Sequence, residues 1–148
     1  MKINFKMWGT ALSTLVKMDS KAEWDKLDGV SKWLIATRSA VTVVTIYSGI
    51  IAGLLAWRDE HFAWIPWLIV TLGLFIAHGA NNLLNDYTDF TRGVDQDYYF
   101  RTQYGVHPLV QKFWTKKQQI GWFLCTGVIA FAAGVYALFY TGFSPAVI

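Results

Sequence analysis

Charge is scarce in this 148-residue chain. Only 16% of its residues are Asp, Glu, Lys or Arg, where a soluble domain usually carries about a quarter. Ten charged residues lie in 1–32 and nine in 85–117, while 118–148 holds none. A single cysteine excludes a disulfide framework and any Cys-rich zinc site. Disorder is excluded too, because 54% of the residues are hydrophobic and the net charge is only +3. Residues 1–32 contain six Lys and no continuous apolar stretch, so they are not expected to form a secretory signal peptide. No internal repeat or low-complexity run is visible. The mean hydropathy, +0.31, is modest. It averages two charged blocks with long apolar stretches, the pattern of a membrane protein.

A spanning helix needs about 20 apolar residues. Three segments supply them: about Trp33 to Trp57 with Arg38 as its one charge, about Phe62 to Leu84, and about Gln119 to Phe143. Trp33, Trp57, Trp64, Trp67 and Trp122 fall near the expected ends, as an aromatic belt requires. Short soluble-core helices would need polar faces every three to four residues, and these segments lack them. The expected fold is therefore all-α and polytopic, with three transmembrane helices. Twelve of the thirteen Lys and Arg lie in 1–38 or 85–117, and only Arg58 lies in the 58–61 turn. The N-terminus and the acidic 85–117 loop are accordingly expected to be cytoplasmic, in a plasma or inner membrane.

Residues 1–32 are expected to form a cytoplasmic, interfacial region. Phe5, Trp8, Leu12, Leu15 and Val16 recur at helical spacing, with Lys2, Lys6 and Lys17 among them, as in an amphipathic helix lying in the headgroups. Ser20 to Glu23 has the form of a capping box opening a second short helix, and Asp28-Gly29 of the turn that ends it. Such a segment serves either as a plain topological anchor or as a collar over a cytoplasmic pocket.

Polar groups are costly in hydrocarbon, so their angular positions are informative. At about 100° per residue, Thr71, Phe75, His78, Asn82, Asn85 and Asp89 share one stripe of the second span, with Asn81 and Asp86 flanking it. The stripe is expected to face a polar cavity. The first span carries a small or polar face of Arg38, Thr42, Thr45, Gly49 and Gly53; the glycines suit close helix approach. Arg38 either meets an anionic partner or snorkels to the headgroups. Gly127, Ala130, Gly134 and Ala137 form a third seam, expected to pack helices.

The segment from Asn82 to Asp97 holds four Asp offset only by Arg92. Asp86 and Asp89, one turn apart, are positioned to converge on a cation, and Gly93 suits a left-handed turn that folds Asp95 back. Oxygen donors with amide neighbours suit Mg²⁺, which keeps waters and shares its sites with phosphates. A solvated acidic loop is the plainer alternative. The cluster reads as a Mg²⁺–diphosphate half-site above an intramembrane cavity, with Arg101 and Arg92 available to phosphate oxygens. A metal stabilises a departing diphosphate, and aromatic faces stabilise an allylic cation. Phe75, Tyr87, Phe90, Tyr98 and Tyr104 are candidates for the second role.

Asn85-Asp86-x-x-Asp89, with Asn82 before it and Gly93-x-Asp95 after, resembles the first aspartate motif of the UbiA-type intramembrane prenyltransferases, most closely the naphthoate branch of quinone biosynthesis. The resemblance covers the chain after residue 30 and implies a partial UbiA-like helical bundle. It also implies that a polyprenyl diphosphate is bound through Mg²⁺ and its prenyl chain passed to an aromatic or other lipophilic acceptor. By it, Asp86 and Asp89 would be the catalytic metal ligands, with Asn82, Asn85, Asp95, Arg38 and Arg101 holding the diphosphate and Asn85 and Asp95 able to join the metal. Membrane lipids are further partners, and nucleic acid is not expected.

Ser39 follows Arg38 where the family usually has proline, His107-Pro108-Leu109 stands where it often has Arg-Pro-Leu, and Lys112 replaces a usual glycine. Family members also have about nine spans and a second aspartate motif, and no second Asp cluster is present here. The resemblance thus implies an N-terminal portion with half the site, inactive alone and completed by a C-terminal half or a second copy. The other reading is a non-catalytic three-span subunit, or a module binding cations or lipid headgroups.

Overall fold

Uncharged runs long enough to span a bilayer become helices, because every backbone N–H and C=O must be satisfied internally in hydrocarbon. The computed structural model describes residues 3–95 and 100–144, and the regular elements among them are all helical. They are α1 (Phe5–Ser13), α2 (Lys21–Asp25), α3 (Gly29–Ala36), α4 (Ser39–Thr42), α5 (Val44–Arg58), α6 (Trp64–Arg92) and α7 (Lys116–Tyr140), with a 3₁₀ turn at Phe100–Gln103. Three helical stretches are long and apolar enough to cross a membrane: Ser39–Arg58, Trp64–Arg92 and Lys116–Tyr140. The architecture is a three-span helical bundle.

The first span starts later than its apolar run suggests. α3 stops at Ala36, and Arg38 takes the left-handed conformation with φ 57° and ψ 48° before α4 begins. Trp33 therefore belongs to a short helix ahead of the span. The Thr37 hydroxyl donates to the Trp33 carbonyl at 2.8 Å and pairs with the Ser39 hydroxyl at 2.9 Å. The carbonyl of Thr37, freed by the break, accepts from Asn82 Nδ2 at 2.8 Å. An orphaned carbonyl at a helix end needs such a partner when it is buried.

The second span runs on to Arg92 instead of ending near Leu84. Its 29 residues make a helix about 44 Å long, well beyond a hydrocarbon core of about 30 Å. The turns carrying Asp86 and Asp89 therefore project past the apolar layer. Gly93, at φ 77°, ends the helix, and the Val94 N–H closes the cap on the Asp89 carbonyl at 2.9 Å. α7 begins at Lys116, where Thr115 and Gln118 form a reciprocal capping box.

α6 is the central helix, packed against both α5 and α7. Gly49 and Gly53 of α5 are buried where α6 presents Thr71 and Trp67, and Trp67 Nε1 donates to the Gly49 carbonyl at 2.7 Å. The seam on α7 behaves differently from expectation. Gly127 and Gly134 approach nothing, and α6 meets α7 through Gly73 against Ala133. Ala130, Gly134 and Ala137 line an open apolar cavity of about 640 Å³ instead. At the α5–α6 turn, Trp57, Phe62, Trp64 and Trp67 form a ring cluster with centroids 4.8–5.9 Å apart.

The apolar core lies at the opposite end, where Trp24, Leu27, Leu34 and Ile35 meet Leu83, Val106, Phe113 and Trp114. Ser20 caps α2 by accepting from the Glu23 N–H. Asp28 does more than end that helix. It caps α3 by accepting from the Ser31 N–H (2.9 Å) and hydroxyl (2.6 Å), and takes the Trp8 indole N–H (3.0 Å) and Asn4 N–H (3.3 Å) from α1. Burial raises this carboxyl, and the four hydrogen bonds more than reverse that, holding it at about 2. The folded value lies below the ordinary aspartate value near 3.9. Asp28 therefore stabilises the fold above about pH 4, and that contribution disappears as pH falls toward 2. Asp28→Asn should flatten the acid limb of a stability–pH curve measured by tryptophan fluorescence. An unchanged limb would show that Asp28 is not the linked group.

Candidate functional site

The acidic end of α6 meets three returning segments: the α3–α4 break, the 3₁₀ turn and the loop around His107. Asp86 is at the centre, 3% exposed. Arg101 Nη1 donates to both of its oxygens, at 2.6 and 2.7 Å, and Arg38 Nη2 reaches Oδ1 at 3.3 Å. Arg101 is equally buried and spends Nη2 on the Ala36 carbonyl at 3.3 Å. Arg38 is half-buried, and its Nε finds no partner among the described residues. Far from lying on a helix face, Arg38 reaches Asp86 because its left-handed backbone turns the chain there.

The remaining predicted residues divide. Asn82 is buried and bonded to Thr37, so it braces the break. Asn85 is exposed and Asp89 half-buried, and neither side chain engages a partner among the described residues. Asp95 is buried, with its backbone N–H returning to the Asp89 carbonyl at 3.5 Å and its carboxylate 3.0 Å from His107 Nε2. Burial lowers the His107 pKa; Asp86 opposes this, Arg101 adds to it, and Asp95 opposes it. A neutral ring donating through Nε2 to Asp95 and accepting the Val110 N–H at Nδ1, 3.4 Å away, matches both contacts. Asp97 and Tyr98 lie outside the described residues.

The stripe expected to face a polar cavity is spent on helix contacts. Thr71 meets Gly49, His78 Nδ1 lies 2.9 Å from the Thr45 hydroxyl, and Asn82 holds Thr37. Asp86, expected at the stripe's edge, is the acidic residue that turns inward. A smaller cavity, about 230 Å³, is lined by Val30, Trp33, Ile76, Trp122, Cys125, Thr126 and Ile129. Among the aromatic candidates, Phe75 packs edge-on against Trp33, Lys116 sits over the Phe90 ring, Tyr87 is half-buried and Tyr104 is exposed.

Among the described residues, no three His, Cys, Asp or Glu side chains converge as a metal cage. Mg²⁺ shared with phosphates uses only one or two carboxylates. Asp86 and Asp89, one turn apart at the end of a span, fit that requirement in donor chemistry. Sequence reasoning missed the buried Gln119, which ties α7 to the Leu83 carbonyl at 3.0 Å, and Trp24, which ties the N-terminal region to Phe113 and Trp114. A Gln at the very start of an uncharged span, one residue beyond the capping Gln118, was the available signal for the first.

These features define an all-helical membrane protein with a buried carboxylate clamped by two arginines at one end of its central span. Residues 45–148 match the UbiA prenyltransferase family, and the chain belongs to that family. The match includes the acidic segment and Arg101; Arg38 and the N-terminal helices precede it. No curated protein and no solved structure matches the chain. Family membership supports a prenyltransferase-type function within a membrane, with a prenyl diphosphate as substrate and a lipophilic acceptor.

Proposed function

We propose that the acidic end of α6 binds a polyprenyl diphosphate through Mg²⁺ and contributes to prenyl transfer onto an aromatic acceptor, as in the naphthoate branch of quinone biosynthesis. The observation that carries this reading is the gathering of Asp86, Arg101 and Arg38 beside Asp89, whose side chain has no partner among the described residues, in a chain of the UbiA family. Asp86 and Asp89 would hold the metal, with Asn85 beside them. The metal supplies positive charge to the departing diphosphate. Arg101 and Arg38 offer planar forks suited to phosphate oxygens. Asn82 keeps the break closed so that Arg38 faces the site, and Asp95 with His107 keeps the Arg101 segment folded over it. The Lys and Arg distribution supports an orientation with this end in the cytoplasm, and the reading places the chain in the inner or plasma membrane.

The non-catalytic reading, a subunit or module for cations or headgroups, draws support from one observation: both Asp86 oxygens already have partners. Asp89→Asn separates the two. The Asp89 side chain makes no hydrogen bond or ion pair among the described residues, so the change should leave the unfolding free energy within about 0.5 kcal/mol of the parent. It should weaken Mg²⁺-dependent binding of farnesyl diphosphate by about tenfold or more, since one charged ligand becomes neutral. Titration of the chain in nanodiscs measures this. Retention of full Mg²⁺-dependent affinity would sink the proposed site.

A further inference from the structure

Asp86 is the most completely paired acidic side chain at the α6 end. One Arg101 nitrogen bridges both of its oxygens, and Arg38 adds a third contact. We infer that Arg101 exchanges partners: it holds Asp86 while the site is free and releases it to a divalent cation as Arg101 moves onto a diphosphate. The inference rests on the Mg²⁺–diphosphate reading above and adds an order to it, because anion and cation then bind as a coupled pair.

Three features support the exchange. First, a cation approaching Asp86 alone would meet two guanidiniums sharing one carboxylate, a locally positive group that repels it and attracts an anion. Second, among the described residues the Arg101 side chain makes one other hydrogen bond beside Asp86, a 3.3 Å contact to the Ala36 carbonyl. A diphosphate offers charged oxygens that can replace Asp86 on Nη1 and also engage the rest of the guanidinium fork, which Asp86 does not. Third, the loop does not depend on Arg101 for closure. The Asp95–His107 contact at 3.0 Å and the Gln111 amide on the Met18 carbonyl at 3.2 Å hold the surrounding segment. Rotation of one side chain therefore suffices. The Asp89 side chain, without a partner among the described residues, is the ligand available at every stage.

The test uses the full chain in nanodiscs, Mn²⁺ as an electron-paramagnetic probe, and inorganic pyrophosphate as the anion. Arg101→Gln should bind Mn²⁺ alone about tenfold more tightly than the parent, since Asp86 loses its counter-ion, and bind pyrophosphate with Mn²⁺ about tenfold more weakly. Arg101→Lys, which keeps the charge but not the fork, should shift both affinities in the same directions by less. Opposite signs for the two ligands are the signature. If Arg101→Gln does not fold, Arg101→Lys and Arg38→Gln carry the same comparison. Mn²⁺ affinity unchanged or weakened in the variants, beside weakened pyrophosphate binding, would make Arg101 a plain phosphate ligand and overturn the exchange. Failure of the parent and all variants to bind Mn²⁺ with pyrophosphate would instead remove the underlying site reading.

Discussion

Replacing Asp86 by alanine should cost about 3–5 kcal/mol of stability, the range seen when one partner of a buried ion pair is removed. Arg101 would then keep its charge at 4% side-chain exposure with only the Ala36 carbonyl, among the described residues, to receive it. Arg38, at 28%, would lose its anion as well but can turn toward solvent or headgroups. The cost should therefore arise chiefly from Arg101. Asp86→Asn retains one acceptor oxygen and should fall between alanine and the parent. Denaturant or thermal unfolding in a mild detergent measures the difference, with Asp89→Ala as the comparison from the next turn of the same helix. If Asp86→Ala and Asp89→Ala unfold together near the parent midpoint, the clamp contributes nothing to the fold.

A loss of similar size, about 3–5 kcal/mol, is expected for Trp24→Ala, from the transfer and cavity terms of a large buried aromatic. Trp24 is fully buried, stacked on Phe113 at 5.4 Å and 24° and edge-on to Trp114 at 5.4 Å and 75°. Its indole N–H has no partner among the described residues, so Trp24→Phe forfeits area without breaking a hydrogen bond and should cost distinctly less. The Lys21 ammonium on the Phe113 carbonyl and the Gln111 amide on the Met18 carbonyl are too peripheral to hold α2 without this ring. The alanine variant should therefore expose residues 1–32 to limited proteolysis while the spans stay resistant. A digestion pattern like the parent's would mean that Trp24 does not pin the N-terminal region.

The N-terminal region shows why sequence patterning reached only part of the way. Its helical spacing and capping residues predicted α1 and α2, because both are local signals. That Trp24 would stack on Phe113 is a contact across about ninety positions, and no periodicity encodes it. The three spans were legible for the opposite reason: hydrocarbon filters composition residue by residue, so uncharged runs identify themselves. The break at Thr37 and Arg38 escaped because apolar residues continue on both sides and a left-handed residue other than glycine leaves no compositional mark. At the site, helical geometry placed Asp86 and Asp89 on adjacent turns correctly. Which of them turns inward depends on where Arg101 returns, fifteen residues later through a segment with no regular period. The 3.0 Å contact between the Asp95 carboxylate and His107 is set by loop closure, and no local spacing encodes it.

The break before the first span has a mechanical consequence. The carbonyls of Ala36 and Thr37 are held by Arg101 and Asn82, one from the loop and one from the acidic helix. A left-handed residue costs an L-amino acid roughly 1–2 kcal/mol, so Arg38 behaves as a sprung joint whose latch consists of those two donors. Moving Arg101 loosens half of that latch. The N-terminal helices are joined to the same point through α3, so the pairing at the α6 carboxylate and the seating of that whole region share one joint.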